Sequence, residues 1–222
     1  MNKKTLGLIH TSATLVPVFQ ALCRAKLPGV ETFNIADDSL IKDVIAKGRL
    51  TPQTSERVAG HVLSAAAAGA DQILVTCSSI GPAVEAAAER VAVPVLRVDQ
   101  PMADRAVRMG GRIGVIATLA TTLEPTADLI RRRARQAGKE IVLTAQLCEG
   151  AFAALMAGDT AGHDASVRAA LESLGGRVDV IVLAQASMAR VAAEAGRPPG
   201  AVPVLSSPEI AVDHLAESLG RA

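Results

Sequence analysis

The stretch Asp71–Ile80 (DQILVTCSSI) recurs later in the chain as Asp179–Met188 (DVIVLAQASM). Each copy begins with an aspartate, continues through an apolar run of strand length, and then has a short polar stretch that ends at an apolar residue. Two further pairs of segments match at nearly the same spacing: Leu6–Thr11 with Ile113–Thr118, and Val93–Leu96 with Val202–Leu205. A repeat of about a hundred residues is the size of a domain rather than of a solenoid unit. The sequence therefore predicts two similar lobes that arose by duplication.

Each half of the sequence predicts alternating strands and helices. The predicted strands are Thr5–Ile9, Val30–Ile35, Gln72–Thr76, Val93–Val98, Arg112–Ile116, Glu140–Ala145, Asp179–Leu183 and Val202–Leu205. Alanine-rich stretches such as 61–70 and 83–91 predict helices between them. Continuous apolar strands are typical of parallel sheets that are buried on both faces. We therefore predict an α/β fold of two pseudo-symmetric lobes, each with a mainly parallel four-stranded sheet flanked by helices: residues 1–98 with a C-terminal helix at 208–222, and residues 99–207.

Composition limits the function classes. Half of the 222 residues are apolar and a fifth are charged, which is typical of globular proteins. A net charge of +1 offers no basic field for nucleic acid or for a membrane surface. The three cysteines are odd in number and lack CxxC spacing, which favours a cytoplasmic chain with one useful thiol over a disulfide framework or a zinc site. Nucleotide and metal motifs are absent, so we expect no cofactor and no metal. A homodimer is the default expectation.

Polar residues follow several predicted strands. Ligands of parallel α/β sheets bind beyond the carboxyl ends of the strands, so we expect an active site in a cleft between the lobes. Cys77 precedes a helix, whose N–H groups are expected to lower the pKa of its thiol. Ser78 and Ser79 are candidate donors to an anionic oxygen, with ordinary helix capping as the alternative. Hydroxyl-rich turns after the first strand of each lobe predict either a carboxylate cradle or helix caps: Thr11, Ser12, Thr118, Thr121 and Thr122.

Four other residues lie near the predicted strand ends. His10 is a candidate second acid/base, although a lone histidine is more often a satisfied core residue. Cys148 and Glu149 follow the second strand of the second lobe and are candidates to reach the cleft. We expect Asp99 to cap the helix that begins near Pro101 rather than to contact a ligand.

Three motifs together resemble the aspartate/glutamate/hydantoin racemase family over essentially the whole chain. They are Thr76–Pro82 (TCSSIGP), Gly114–Thr118 with the two threonines that follow it, and Val182–Ala189 (VLAQASMA). The resemblance implies a cofactor-free enzyme in which two cysteines flank the α-carbon of a small carboxylate. One thiolate removes the proton and the other thiol returns it on the opposite face.

The second cysteine position of that family is Gln185 in this sequence. A glutamine amide cannot exchange a proton near neutral pH, but it can hydrogen-bond a carboxylate or enediolate oxygen. Cys148, Glu149 or His10 would have to act as the second acid if the chain is a two-base racemase. Ser187, the repeat partner of Ser79, is a further candidate for substrate binding.

The resemblance thus implies a racemase or isomerase that moves the α-proton of a small carboxylate or its cyclic amide, with Cys77 as acid/base. One alternative is a single-cysteine decarboxylase or lyase that works through an enediolate. The racemase family also resembles arylmalonate decarboxylases, which keep one cysteine, though in the other lobe. The second alternative is a non-catalytic protein that binds a small acid. The scarcity of aromatic residues favours small aliphatic acids over aryl substrates.

Overall fold

The computed structural model describes residues 3–194 and 200–219. The chain divides into two compact units, which we call unit 1 (Met1–Gln100 and Pro208–Ala222) and unit 2 (Pro101–Ser207). Residues 220–222 of the predicted C-terminal helix lie outside the described residues.

Unit 1 contains a four-stranded parallel sheet, sheet A, with the strand order β2-β1-β3-β4. Its strands are β1 (Thr5–His10), β2 (Glu31–Ala36), β3 (Gln72–Val75) and β4 (Val95–Arg97). The helices between these strands are α1 (Leu15–Lys26), α2 (Asp38–Lys47), α3 (Pro52–Ala67) and α4 (Gly81–Ala88). A short 3₁₀ turn at Ser78–Ile80 joins β3 to α4.

Unit 2 repeats this arrangement in sheet B, with the order β6-β5-β7-β8 and parallel pairing throughout. Its strands are β5 (Arg112–Ala117), β6 (Val142–Leu147), β7 (Val180–Leu183) and β8 (Val204–Ser206). Its helices are α5 (Gln100–Met109), α6 (Ala120–Gln136), α7 (Ala151–Met156), α8 (Thr160–Leu174) and α9 (Ala189–Glu194). The last helix of the chain, α10 (Ser207–Leu219), returns to unit 1. Two similar units with parallel four-stranded sheets confirm the predicted fold class.

Sheet A is buried on both faces, which explains its continuous apolar strands. On one face, Leu8 packs with Phe19 of α1 and Val212 of α10. On the other, Ile9 packs with Val62 of α3 and with residues of α2 and α4. Helix α10 therefore completes the core of unit 1 although it follows unit 2 in the sequence.

The strand register brings equivalent turns to the carboxyl edge of each sheet. In unit 1 the N–H of Thr76 donates to Ile9 O at 2.9 Å, immediately before Cys77. In unit 2 the N–H of Ala184 donates to Ile116 O at 2.9 Å, immediately before Gln185. The residues after the first and third strands are therefore neighbours within each unit. Among the described helices, none combines the length and the apolar character that crossing a membrane requires.

Candidate active site

Cys77 lies at the carboxyl edge of sheet A, in extended backbone conformation between β3 and the 3₁₀ turn. Its side chain is half-buried. The sulfur accepts hydrogen bonds from the hydroxyl of Thr11, from the N–H groups of Ser79 and Ile80, and from the Ser79 hydroxyl. These donors come from the turn after β1 and from the turn that begins α4. The fold thus surrounds one thiol with groups that favour its thiolate.

Burial nevertheless raises the pKa of the Cys77 thiol above its ordinary value, and this effect exceeds that of the surrounding donors. The prediction of a lowered pKa from the helix N-terminus was therefore wrong. Desolvation disfavours the charged form more strongly than the hydrogen bonds favour it. At neutral pH the resting group is a thiol, and the donors reduce the cost of converting it to a thiolate.

Gln185 occupies the equivalent position in unit 2, again in extended conformation before a 3₁₀ turn. Its Oε1 accepts a hydrogen bond of 2.6 Å from the Thr118 N–H and one of 2.9 Å from the Thr118 hydroxyl. Because the backbone N–H is only a donor, the atom facing it is the amide oxygen, which fixes the orientation of the amide. Within residues 3–194 and 200–219 the amide nitrogen makes no hydrogen bond, so both of its protons remain free to donate.

The N-terminus of α6 follows Thr118, whose N–H and hydroxyl hold this amide. Leu119, at the N-cap position, provides no side-chain cap. The hydroxyl oxygen of Thr121 is buried and has no partner within the described residues. Thr122 is buried in the same turn. An open helix N-terminus with an unpaired hydroxyl can accept an anionic group such as a carboxylate.

The three candidates for a second acid lie in different surroundings. His10 is fully buried, with Nδ1 at 2.9 Å from the Thr76 hydroxyl and Nε2 at 2.9 Å from Asn34 Oδ1. Burial lowers the pKa of His10, which favours the neutral ring. Cys148 is buried, donates to Ser166 O at 3.7 Å, and has a thiol pKa raised by burial. Glu149 is exposed. A second acid/base role for any of them stays a prediction.

The predicted serines differ in exposure. Ser78 is buried beside Cys77, whereas Ser187 of unit 2 is exposed. Ser12 hydrogen-bonds the hydroxyl of Thr14 at 2.8 Å. Among the described residues there is no group of three or more His, Cys, Asp or Glu side chains placed to hold a metal ion.

Sequence reasoning missed Arg97, the last residue of β4. Its guanidinium is buried and pairs through two hydrogen bonds, of 2.9 and 2.8 Å, with the carboxylate of Asp99. Asp99 was expected to cap α5, but the hydrogen bonds that its carboxylate makes within the described residues are these two with Arg97. An arginine at the end of an otherwise apolar strand, with an aspartate two residues later, was the available indication.

Comparison with known proteins finds a matching family model and solved structures of similar fold. The family model described as Asp/Glu/Hydantoin racemase matches residues 6–215. Glutamate racemase isoform RacE1 from Bacillus anthracis superposes with a TM-score of 0.71 at 19% identity, covering 99% of this chain and 83% of that one. The Picrophilus torridus aspartate racemase gives 0.73 at 14% identity, covering 98% and 94%. Allantoin racemase from Klebsiella pneumoniae gives 0.66 at 18% identity, covering 98% and 88%. No curated protein sequence matches.

Proposed function

Because the chain belongs to the Asp/Glu/hydantoin racemase family, we propose that it moves the α-proton of a small carboxylate, or of its cyclic amide, with Cys77 as acid/base. The observation that carries this proposal is the set of donors around the Cys77 sulfur: the Thr11 hydroxyl and the N–H groups of Ser79 and Ile80. A thiol that had only a packing role would not need hydrogen-bond donors from two separate turns of the fold. The racemases of glutamate, aspartate and allantoin that share the fold make an α-amino acid or a cyclic amide the first substrates to test.

In the proposed reaction, the resting Cys77 thiol first loses its proton to solvent, and the thiolate then takes the α-proton and re-forms the S–H bond. The electron pair of the broken C–H bond is delocalised into the substrate carboxylate, which becomes an enediolate. The S–H group then returns its proton to the α-carbon. Because burial raises the pKa of the thiol, the protonated form is favoured after abstraction, and this supports a group that both takes and returns a proton.

For unit 2 we propose a binding role. The amide nitrogen of Gln185, with its orientation fixed by Thr118, would donate to a carboxylate or enediolate oxygen. The unpaired hydroxyl of Thr121 and the open N-terminus of α6 would hold the other oxygen. That both carboxyl edges act on one substrate remains the prediction of the sequence analysis, and the variants described below test it.

One observation favours a second candidate, a lyase. Gln185 cannot supply a proton, so Cys77 is the one group in this proposal that can. In a decarboxylation, the bond between the α-carbon and a carboxyl group breaks, carbon dioxide leaves with its oxygens, and the electron pair remains as an enediolate. A resting thiol, which the raised pKa of Cys77 provides, then donates its proton to one face of the α-carbon.

Proton exchange in D₂O tests the proposal. Candidate amino acids, hydantoins and substituted malonates are incubated with the protein, and loss of the α-proton signal is followed by NMR. We expect exchange that Cys77→Ser abolishes and that Cys23→Ser, at a cysteine in the apolar core of unit 1, retains. Exchange with racemisation indicates two-base chemistry, and exchange with retained configuration indicates that a single base removes and returns the proton on one face.

Other outcomes separate the alternatives. Carbon dioxide release from a malonate, with deuterium incorporated on one face, identifies the lyase. Binding without exchange or carbon dioxide release identifies a non-catalytic acid-binding protein. Exchange that persists unchanged in a folded Cys77→Ser variant removes the thiol from the reaction.

A further inference from the structure

A buried charge cluster lies at the carboxyl edge of sheet A, beside the turn that holds Cys77. The Arg97 side chain is 1% exposed and that of Asp99 is fully buried. Arg97 donates through Nε and Nη2 to the two oxygens of Asp99, and through Nη1 to Glu85 of α4 at 2.7 Å. These two carboxylates are the charged groups that contact the guanidinium. Arg97 also pairs in register with Val75, two residues before Cys77.

The guanidinium lies directly against the backbone of the Cys77 turn. A Cβ atom built on Gly81 would stand 2.2 Å from Cζ of Arg97 and 2.3 Å from its Nη2, far inside van der Waals contact. Gly81 follows Ser79 and Ile80, whose N–H groups donate to the Cys77 sulfur. The arginine is therefore packed against the same short segment of backbone that presents donors to the thiol.

Unit 2 lacks all three parts of this arrangement. Leu183 of β7 pairs in register with Ser206, where unit 1 pairs Val75 with Arg97. The helix after the 3₁₀ turn begins with Ala189, where unit 1 has Gly81. Pro208 stands two residues after the strand-end serine, where unit 1 has Asp99. Gly81, Arg97 and Asp99 thus accompany the cysteine that follows β3, and none of the three has a counterpart at the equivalent positions around the glutamine that follows β7.

We propose that the Arg97–Asp99 pair is a positioning device for the Cys77 turn: the guanidinium, lying on Gly81, holds the N–H groups of Ser79 and Ile80 towards the sulfur. A buried ion pair is seldom more stabilising than apolar residues of similar volume, so stability alone does not explain the pair. Its planar, bidentate geometry fixes the position of the guanidinium, which a flexible ammonium group would not do.

This inference rests on the proposed role of Cys77, but its main readout does not require a substrate. The rate of Cys77 alkylation by iodoacetamide is measured from pH 7 to 10 by peptide mass spectrometry, which separates it from Cys23 and Cys148. The rate follows the thiolate fraction. Loss of one well-aligned donor to a thiolate should slow alkylation about tenfold at pH 8 and raise the fitted pKa.

The first variant replaces both partners, Arg97→Met with Asp99→Leu. A purely structural pair predicts that the apolar replacement keeps both the melting temperature and the alkylation profile. Positioning predicts that the melting temperature is kept while alkylation slows about tenfold and kcat for exchange falls with little change in KM. A folded double variant with wild-type alkylation, or with faster alkylation, overturns the proposal.

The second variant, Gly81→Ala, leaves the ion pair in place and displaces the guanidinium by one methyl group. We expect the same slower alkylation. The control is Gly60→Ala in α3, where an added Cβ would meet nothing within 4 Å. Wild-type alkylation in Gly81→Ala contradicts the proposal even if the double variant fails to fold. If these variants slow alkylation but the wild-type protein exchanges no substrate proton, the proposed function fails and the positioning role stands.

Discussion

The carboxyl edges of sheets A and B have the same backbone design but different chemistry. In each unit, a threonine after the first strand hydrogen-bonds the side chain of the residue that follows the third strand: Thr11 with Cys77, and Thr118 with Gln185. In unit 1 the threonine donates to a group that can lose a proton. In unit 2 it donates to an amide that can only orient. The contact is thus the same in both units, whereas unit 1 has a thiol, which can transfer a proton, and unit 2 has an amide, which can only hydrogen-bond.

The residue after the second strand shows the same divergence. Asp37 in unit 1 and Cys148 in unit 2 both donate their N–H to the strand-end carbonyl of the first strand, at 2.9 and 2.8 Å. Asp37 caps α2 and pairs with Arg57 and His61 of α3. Cys148 is buried in the apolar core of unit 2. Ion pairs therefore stabilise this turn in unit 1, whereas apolar packing stabilises it in unit 2.

The largest expected effect comes from giving unit 2 the cysteine that unit 1 has after its third strand. Gln185→Cys should introduce racemisation of any substrate whose α-proton the wild-type protein exchanges. A positioned acid/base contributes about 10²–10⁴-fold, so racemisation should rise by a factor in that range. The measurement is polarimetry or chiral chromatography of the recovered substrate.

Gln185→Ser is the matched control, because its hydroxyl is small and cannot act as an acid near neutral pH. Exchange without any racemisation in a folded Gln185→Cys variant would contradict the prediction that both edges serve one substrate.

The next effect concerns stability at acid pH, and it arises from Asp37 after β2, which Cys148 replaces after β6. Burial alone would raise the pKa of Asp37, but bonds from Ser39 and His61 and the charge of Arg57 together lower it to about 2. A carboxyl whose pKa is lowered on folding stabilises the protein above its unfolded pKa, here 3.8, and this stability is lost as the pH falls towards 2. Asp37→Asn should therefore lower the free energy of unfolding by about 2 kcal/mol at pH 7.

Urea unfolding followed by far-ultraviolet circular dichroism measures this loss, since the chain has no Trp or Tyr. The gap between variant and wild type should narrow as the pH falls from 3.8 to 2. Asp38→Asn is the control, because Asp38 makes an exposed ion pair with Lys42 at 3.7 Å, which is worth little. An equal loss at pH 7 and pH 2.5 would show that Asp37 acts through packing or neutral hydrogen bonds.

The repeat and its apolar runs were sufficient to predict two similar parallel sheets, because strands that are buried on both faces consist almost entirely of apolar residues. The place of Cys77 after a predicted strand indicated a site there, and the family resemblance added Gln185; the structure places both residues after the third strand of their unit. Strand ends were less accurate: β4 and β8 are shorter than predicted, and β2 and β6 begin and end later. A strand ends where hydrogen bonding to its neighbouring strand ends, and an apolar run in the sequence can extend beyond that point.

Features that depend on three-dimensional packing were not predictable from local sequence. The pKa of Cys77 depends on how much solvent the surrounding side chains exclude, which a strand-to-helix position does not reveal. The contact of Arg97 with Gly81 joins residues from β4 and α4 that no local pattern connects. Helix propensities and strand periodicity describe single elements, whereas the pKa of Cys77 and the contact of Arg97 with Gly81 depend on how several elements pack together.

The smallest expected effect compares the two threonines directly. Thr11→Val removes a hydroxyl that donates to the Cys77 sulfur, and hydrogen bonds to charged groups are the stronger class. We expect kcat for proton exchange to fall about tenfold, with KM unchanged, because the bond matters when sulfur carries charge. Thr118→Val removes a neutral bond of 2.9 Å, but the Thr118 N–H still holds the same amide oxygen at 2.6 Å. Its effect should appear in KM and stay within a few-fold. Equal losses of kcat in both variants would mean that the two threonines serve only the packing of their turns, and that the chemical asymmetry of the two edges does not extend to them.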